Sequence, residues 1–354
     1  MKILLQRRPV ASLGRLIAVS LLVPACGGGG GGGGGGPSPF AVVFRSPEPD
    51  ATGVARTAVV YVQFNRAADP STVTETNFFL TSSGNPVPAA VTYQACNRMA
   101  RLEASSLPLA AGTYTVHLTA DIKDSGGAAL AAETFDFTVG NFADTERPTF
   151  SGASSATAAS PTSVVLSWSA ATDASSVTYD IFLSTTSGCY NFGVPFDTAT
   201  ASPHTVVGLA PNTTYFFVVR ARDAAGNTDQ NTAEVSAKTL VSWSMNVWPV
   251  VQNNCRSCHI GTGQGAQQVP NMIMTDANAT RTAWINVDPS CTGGSIPSGA
   301  KRIVPGDATK SFVYNKISED PPWCGARMPR GRPALPASEI QLFFDWIEQG
   351  ALDN

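Results

Sequence analysis

The chain has 354 residues, enough for two or three domains of roughly 100 residues, each able to bury its own core. Charged residues make up only 14% of it and the formal net charge is -3, while Ser, Thr, Ala and Gly are abundant where a cytosolic enzyme would carry Lys and Glu. That balance excludes a surface of excess basic charge of the kind that attracts nucleic acid.

Lys2, Arg7, Arg8 and Arg15 precede an apolar run, Leu16 to Val23, that closes on small residues and a cysteine, the layout of an export signal over residues 1–25. The run is well short of the ~20 residues that a spanning helix needs. Val23-Pro24-Ala25-Cys26 resembles the bacterial lipobox. That resemblance implies cleavage before Cys26, acylation of the new terminal cysteine and lipid anchorage to the cell envelope; an ordinary signal peptide or a short membrane anchor is the alternative. Gly27, where some lipoproteins carry an aspartate that retains them at the inner membrane, tilts the expected location toward the outer one, on its periplasmic or surface face. Residues 26–39, a glycine tract ending in Pro37-Ser38-Pro39, cannot bury enough surface to fold and form a tether with a mean reach of about 20 Å.

From residue 40 to 140 apolar side chains alternate with polar ones, as in Val60, Val62 and Phe64, then Tyr114, Val116 and Leu118, then Phe135, Phe137 and Val139. Period two predicts half-buried strands, and turn clusters such as Ser46-Pro47-Glu48-Pro49-Asp50 and Asp124-Ser125-Gly126-Gly127 favour an antiparallel sandwich. The first of these turns with Ala51-Thr52-Gly53-Val54, Phe64-Asn65-Arg66-Ala67-Ala68-Asp69-Pro70-Ser71-Thr72-Val73 and Leu109-Ala110-Ala111-Gly112-Thr113-Tyr114-Thr115-Val116 resemble the bacterial Ig-like domain of surface proteins.

Residues 144–240 predict a second β-sandwich. Val164, Leu166 and Trp168 share one strand face, Val177, Tyr179, Ile181 and Leu183 another, and Tyr215, Phe217, Val219 and Ala221 a third. Leu209-Ala210-Pro211-Asn212-Thr213-Thr214-Tyr215 resembles the tyrosine corner of a fibronectin type III domain, with Trp168 as its core tryptophan. A spacer role is expected of such a module, with a glycan or protein ligand site as the alternative.

After Leu240 the period changes. Trp243, Val247, Trp248 and Val251 sit at helical spacing, and so do Ile340, Phe343, Phe344 and Ile347, between Pro336 and Gly350. The stretch between them is rich in Gly, Pro and Thr, which predicts a small, mainly α domain over residues 241–354 whose core depends on a large guest. Cys255-Arg256-Ser257-Cys258-His259 is the Cys-x-x-Cys-His pattern of covalent haem attachment: thiols three positions apart on a helical turn can bond two vinyl groups of one porphyrin, with the next histidine beneath the iron. A structural disulfide between Cys255 and Cys258 is the alternative; a redox-active Cys pair would need a βαβ context, and zinc would need more ligands than one Cys pair and one histidine.

For a sixth iron ligand, His117 and His204 belong to the β-modules and are read as surface residues, on a polar strand face and in a loop. Met245 precedes the attachment helix too closely, Met272 and Met274 are read as packing residues, and Met328 stands in Ala326-Arg327-Met328-Pro329-Arg330-Gly331 before the last helix. This order of helix, haem motif, Met-Pro loop and final helix ending Asp345-Trp346-Ile347-Glu348-Gln349-Gly350-Ala351 is similar to class I cytochrome c domains. Val304-Pro305-Gly306-Asp307 and Phe312-Val313-Tyr314-Asn315-Lys316-Ile317 add to the likeness, while an insertion over residues 284–300 departs from the shortest members. The resemblance implies Met328 as the ligand opposite His259, one covalent haem c, and electron transfer rather than catalysis. Arg327, Arg330 and Arg332 either steer an acidic redox partner, hold haem propionates or form a solvated face.

Four cysteines then remain in what the signal makes an oxidising compartment. Cys291 and Cys324 flank one stretch of the last domain and are expected to pair; Cys96 and Cys189 either bond across two modules or stay as separate buried thiols. The sequence therefore predicts two β-sandwiches followed by a haem domain, and a membrane-anchored monohaem cytochrome exchanging electrons with a redox partner protein or a surface donor or acceptor. One competing reading is a surface adhesion or glycan-binding protein with a sensory or accessory haem domain; another is a haem enzyme with an open iron, such as a peroxidase, against which one haem motif, no distal histidine and a Met ligand count.

Overall fold

A computed structural model describes residues 38–260, 274–291 and 294–354. The expected export signal, the acylated Cys26, residues 26–37 of the tether and Met272 lie outside the described residues. Among the described residues, no helix is long and apolar enough to cross a membrane.

The first module is a sandwich of two sheets. Strands β1 (Val42–Ser46), β2 (Ala51–Val54), β3 (Val60–Phe64), β4 (Phe78–Ser82), β5 (Asn85–Val87), β6 (Ala89–Gln94), β7 (Met99–Ala104), β8 (Gly112–Leu118) and β9 (Glu133–Val139) form one sheet in the order β1-β3-β7-β6 and another in the order β2-β9-β8-β4-β5. All pairings are antiparallel except β2 with β9. The alternating residues read from the sequence face inward, and Phe64, Phe78, Leu80, Val116 and Phe137 are among its buried core. The Tyr114 hydroxyl donates to the Ala110 carbonyl at 3.1 Å, closing the corner where the chain enters β8.

The second module has β10 (Ser155–Ser160), β11 (Ser163–Ser167) and β14 (His204–Val207) in one sheet. Its other sheet holds β13 (Asp197–Ala199), β12 (Thr178–Ser184), β15 (Thr214–Arg222) and β16 (Glu234–Lys238), adjacent in that order. The Ala210 amide donates to the Tyr215 hydroxyl at 2.9 Å, and Trp168 packs tilted against Tyr179 in the core. His204 lies in a strand, not in a loop, and its Nε2 meets Asp197 at 2.8 Å.

Strict alternation predicts one buried face for β12 and β15, but both faces are buried. Ile181, Phe217 and Val219 point into the sandwich, while Phe182, Val218 and Arg220 are covered on the opposite side. There Phe192 packs against Phe182, Tyr190 and Val218 of its own module and against Val59, Tyr61 and Met99 of the first. The Arg220 guanidinium stacks 3.5 Å above the Phe192 ring, and burial lowers its pKa. Polar contacts frame this seam: Thr57 donates to Asn227 at 2.8 Å, Arg147 to Glu103 at 3.0 Å, and Asn97 to the Tyr190 carbonyl at 2.8 Å. Cys96 and Cys189, 6.1 Å apart at Cα and 93 residues apart in sequence, are joined across it by a disulfide.

The third domain contains a π-helical turn (Trp243–Val247) that runs into α1 (Trp248–Asn254), then α2 (Ala277–Trp284), α3 (Phe312–Ser318) and α4 (Ala337–Glu348). The domain's own side chains supply a core. Trp243 stacks on Trp346 at 4.6 Å and meets Trp284 edge-on at 5.8 Å, and all three are fully buried among Val247, Val251, Ile303, Phe343 and Ile347. Alternate-period counting missed it because Trp284, Ile303 and Val313 come from short, separated segments. Val241 and Trp243 donate to Gln349 and Asn354 within the domain, and Lys238 pairs with Asp345 at 3.3 Å, a contact that joins it to the end of the second module.

The bond between Cys96 and Cys189 constrains a long loop of the unfolded chain, worth about 2–5 kcal/mol. The double variant Cys96→Ser/Cys189→Ser is expected to lose that much stability in denaturant titration while both β-modules still unfold together, read module by module through hydrogen exchange. Separate transitions for the two modules would contradict a shared interface.

Candidate functional site

The thiol and imidazole side chains singled out by the sequence follow α1 directly. The Cys255 amide donates to the Val251 carbonyl at 2.9 Å, so the helical path continues past Asn254. Two further turns, Cys258 to the Cys255 carbonyl at 3.2 Å and His259 to the Arg256 carbonyl at 3.0 Å, hold the five-residue motif in a compact coil. Cys255 is half-buried and Cys258 exposed, and neither is in a disulfide, although the other four described cysteines are paired. Burial pushes the Cys255 thiol up to about 12, helped by the neighbouring Cys258 and Glu339. His259 is buried, its carbonyl accepts the Met274 amide at 2.7 Å, and Arg256 reaches the Met274 carbonyl at 3.3 Å. Met274 itself is core, as its reading as a packing residue requires, and Met245 is exposed.

Met328 is half-buried against the same domain core that Cys255 touches, and its amide donates to the Lys316 carbonyl at 2.7 Å. Lys316 in turn gathers the loop by donating to the Cys324 and Ala326 carbonyls, and burial followed by the nearby Arg330 lowers its pKa. Cys324 is bonded to Cys291, with 6.4 Å between their Cα atoms. A side chain at Gly294 would run into the Trp323 carbonyl, so only glycine permits the chain to pass beside this disulfide. Arg327 pairs with Asp320 at 3.7 Å. The two thiols, an imidazole and a thioether are thus carried by one domain, the first three on one coil, and this donor set fits a covalently held haem.

His117 lies on the outer face of β8, stacked on Phe79, and neither it nor His204 belongs to this domain. A second group of polar side chains was not singled out by the sequence. Asp144, Asp173 and Asp223 bring carboxylate oxygens within 4.8 Å of one another where the first module gives way to the second. Oxygen donors so arranged could hold a divalent cation. Each also accepts local hydrogen bonds that order the junction: Asp223 from the Asn227 amide and side chain at 2.7 Å, Asp173 from Ser175 at 2.7 Å, and Asp144 from Glu146 at 3.1 Å. The available signal was three aspartates in turn segments, one inside Asp223-Ala224-Ala225-Gly226-Asn227, which sequence spacing alone does not bring together.

Comparison with known proteins identifies both β-modules. Residues 37–139 match the bacterial Ig-like domain and residues 148–238 the fibronectin type III domain. Chitinase A1 of Niallia circulans is 40% identical over 136 residues, 37% of this chain and 18% of the enzyme. Exoglucanase A of Cellulomonas fimi is 35% identical over 128 residues, covering 35% of this chain and 14% of that protein. Exoglucanase B of the same organism is 34% identical over 224 residues, covering 57% of this chain and 20% of its own length. The chain thus spans about a fifth or less of each of these relatives.

These relatives correct the expectation of an electron-transfer cytochrome. The recognised modules are Ig-like and fibronectin type III, and the similar proteins named above are chitinases and exoglucanases, none of them a cytochrome. The inference from the Cys-x-x-Cys-His pattern to electron transfer failed because the motif bears on what one domain can hold, whereas the β-modules occupy most of the folded chain.

Because the thiolate is the nucleophile, the burial of Cys255 predicts slow alkylation. In the polypeptide with both thiols free, iodoacetamide at pH 8 should label Cys258 about tenfold faster than Cys255, as read by peptide mass spectrometry. Equal rates would contradict the placement of Cys255 against the core.

Proposed function

We propose that the chain is an exported surface protein that binds or adheres to a glycan through its β-modules, with the C-terminal domain as an accessory unit and no catalytic role of its own. The observation that carries this reading is the likeness of the chain to chitinases and exoglucanases over stretches that make up only a small part of those proteins. A shared segment that short in the relatives suits a binding or spacing module more than a hydrolase site. The relatives' substrates suggest chitin or a β-glucan as the ligand class. The lipid on Cys26 and the tether after it would hold the modules at the cell envelope.

In the accessory domain, Cys255 and Cys258 would carry one covalent haem, and His259 and Met328 would hold its iron. Two unpaired thiols on one coil, followed by a buried imidazole, support that donor set. Bound there, the group would supply an iron whose ligation can change, the basis of a sensory or accessory role. The protein's own residues contribute the attachment coil, pinned by Met274, and the Met328 loop, pinned by Lys316.

Depletion of the purified protein from solution by insoluble chitin or cellulose tests the main reading, with retention expected on at least one and on neither amylose nor agarose. Failure to bind either polymer would contradict it. Independently, protein matured in a host with haem-attachment machinery should keep a covalent haem stain after denaturing electrophoresis, and Cys258→Ala should lose most of it; an unstained wild-type chain would overturn the accessory group.

A further inference from the structure

The outer face of the sheet β2-β9-β8-β4-β5 is built in rows. Its inward positions, Phe78, Leu80, Tyr114, Val116, Phe135 and Phe137, fill the core, so the residues between them stand outside. Strand register aligns Phe79 with His117 and His117 with Thr134. The next row aligns Thr81 with Thr115 and Thr115 with Asp136, and a third aligns Thr113 with Thr138. Neighbouring strands lie ~4.8 Å apart and these rows ~7 Å apart, which makes a grid of hydroxyls bordered by one pair of rings.

That ring pair is fixed in place. Phe79 and His117 stack with centroids 4.5 Å apart and planes 9° from parallel, and the His117 Nε2 lies 2.9 Å from the Thr81 hydroxyl. Both rings are only half-buried. They open on a shallow groove continued by Thr119, Ala120, Ala132, Glu133 and Thr134.

We propose that this face is the polysaccharide-binding surface of the first module, taking a neutral chain. The assignment rests on the glycan-binding reading above and gives it a location. A sugar ring offers an apolar face of C–H groups and an edge of hydroxyls; the Phe79–His117 pair meets the first, and Thr81, Thr115, Thr134 and Asp136 exchange hydrogen bonds with the second. The charges on the face select against other ligands. No lysine or arginine stands in the three rows, the nearby Arg45 is spent on Glu133 through a bidentate pair, and Asp136 repels anions. Nucleic acid and acidic glycans therefore find no counter-charge. A protein partner would need a broader apolar centre than one ring pair.

The test uses the full chain in affinity electrophoresis through gels containing a soluble β-glucan or a soluble chitin derivative, with depletion on the insoluble polymers in parallel. Phe79→Ala/His117→Ala should weaken binding about tenfold or more, a loss of ~1.4 kcal/mol or more. Thr115→Lys, which places a charge in the middle of the grid without touching the rings, should do the same. Val207→Ala, at an exposed position of the second module, should bind as the wild type does. Unchanged far-UV dichroism and melting temperature show that the variants fold, and Thr115→Lys serves if the ring variant does not. Wild-type binding that both face variants retain would overturn this location while leaving the glycan-binding reading intact. A wild-type chain that binds none of the polymers would overturn both.

Discussion

The stacking of Arg220 on Phe192, inside a seam shared by both β-modules, is the contact on which the rest of the molecule depends. A guanidinium can be buried there because its flat face lies on an aromatic ring and its Nε donates to the Asn231 carbonyl at 3.1 Å. Remove the seam and the outer side of β12 and β15 exposes Phe182, Val218 and Arg220 together. The disulfide between Cys96 and Cys189 closes one side of this contact, and the Thr57–Asn227 hydrogen bond belongs to the same junction. The first and second modules are thereby one body with two sandwich cores, and the outer grid of the first keeps a fixed orientation relative to the second.

The C-terminal domain obeys a different logic. Its helices are short, from seven to twelve residues in α1 to α4, and too short to persist alone. What holds them is the stack of Trp243, Trp284 and Trp346, which brings three distant segments to one point, with the Trp346 indole donating to the Leu352 carbonyl at 2.9 Å. The attachment coil sits at the rim of this core.

The alternation of Val60, Val62 and Phe64 and the corner around Tyr215 made both sandwiches legible in the sequence, because period two and turn chemistry are local properties. The seam was not legible: Tyr61, Phe182 and Val218 stand at positions where alternation predicts solvent, and only the docking of two modules explains their burial. The pairing of Cys96 with Cys189 was one of two alternatives for the same reason. In the last domain the Cys-x-x-Cys-His pattern was visible at once, yet it drew the function toward electron transfer, since a motif weighs heavily when the ligand face of a β-module carries no signature. The Phe79–His117 platform was hidden as an ordinary pair of outward residues; strand register alone brings them together.

The most direct test of the account is the rigidity of the joined β-modules, on which the fixed presentation of the binding face rests. Residual dipolar couplings of backbone amides, measured for residues 40–140 and 148–238 in one weakly aligned sample of the full chain, report the orientation of each module independently. A single alignment tensor should fit both sets, with the disulfide intact and in its Cys96→Ser/Cys189→Ser variant alike. Two tensors of different magnitude or axes in the oxidised protein would show that the modules move separately and would contradict the account.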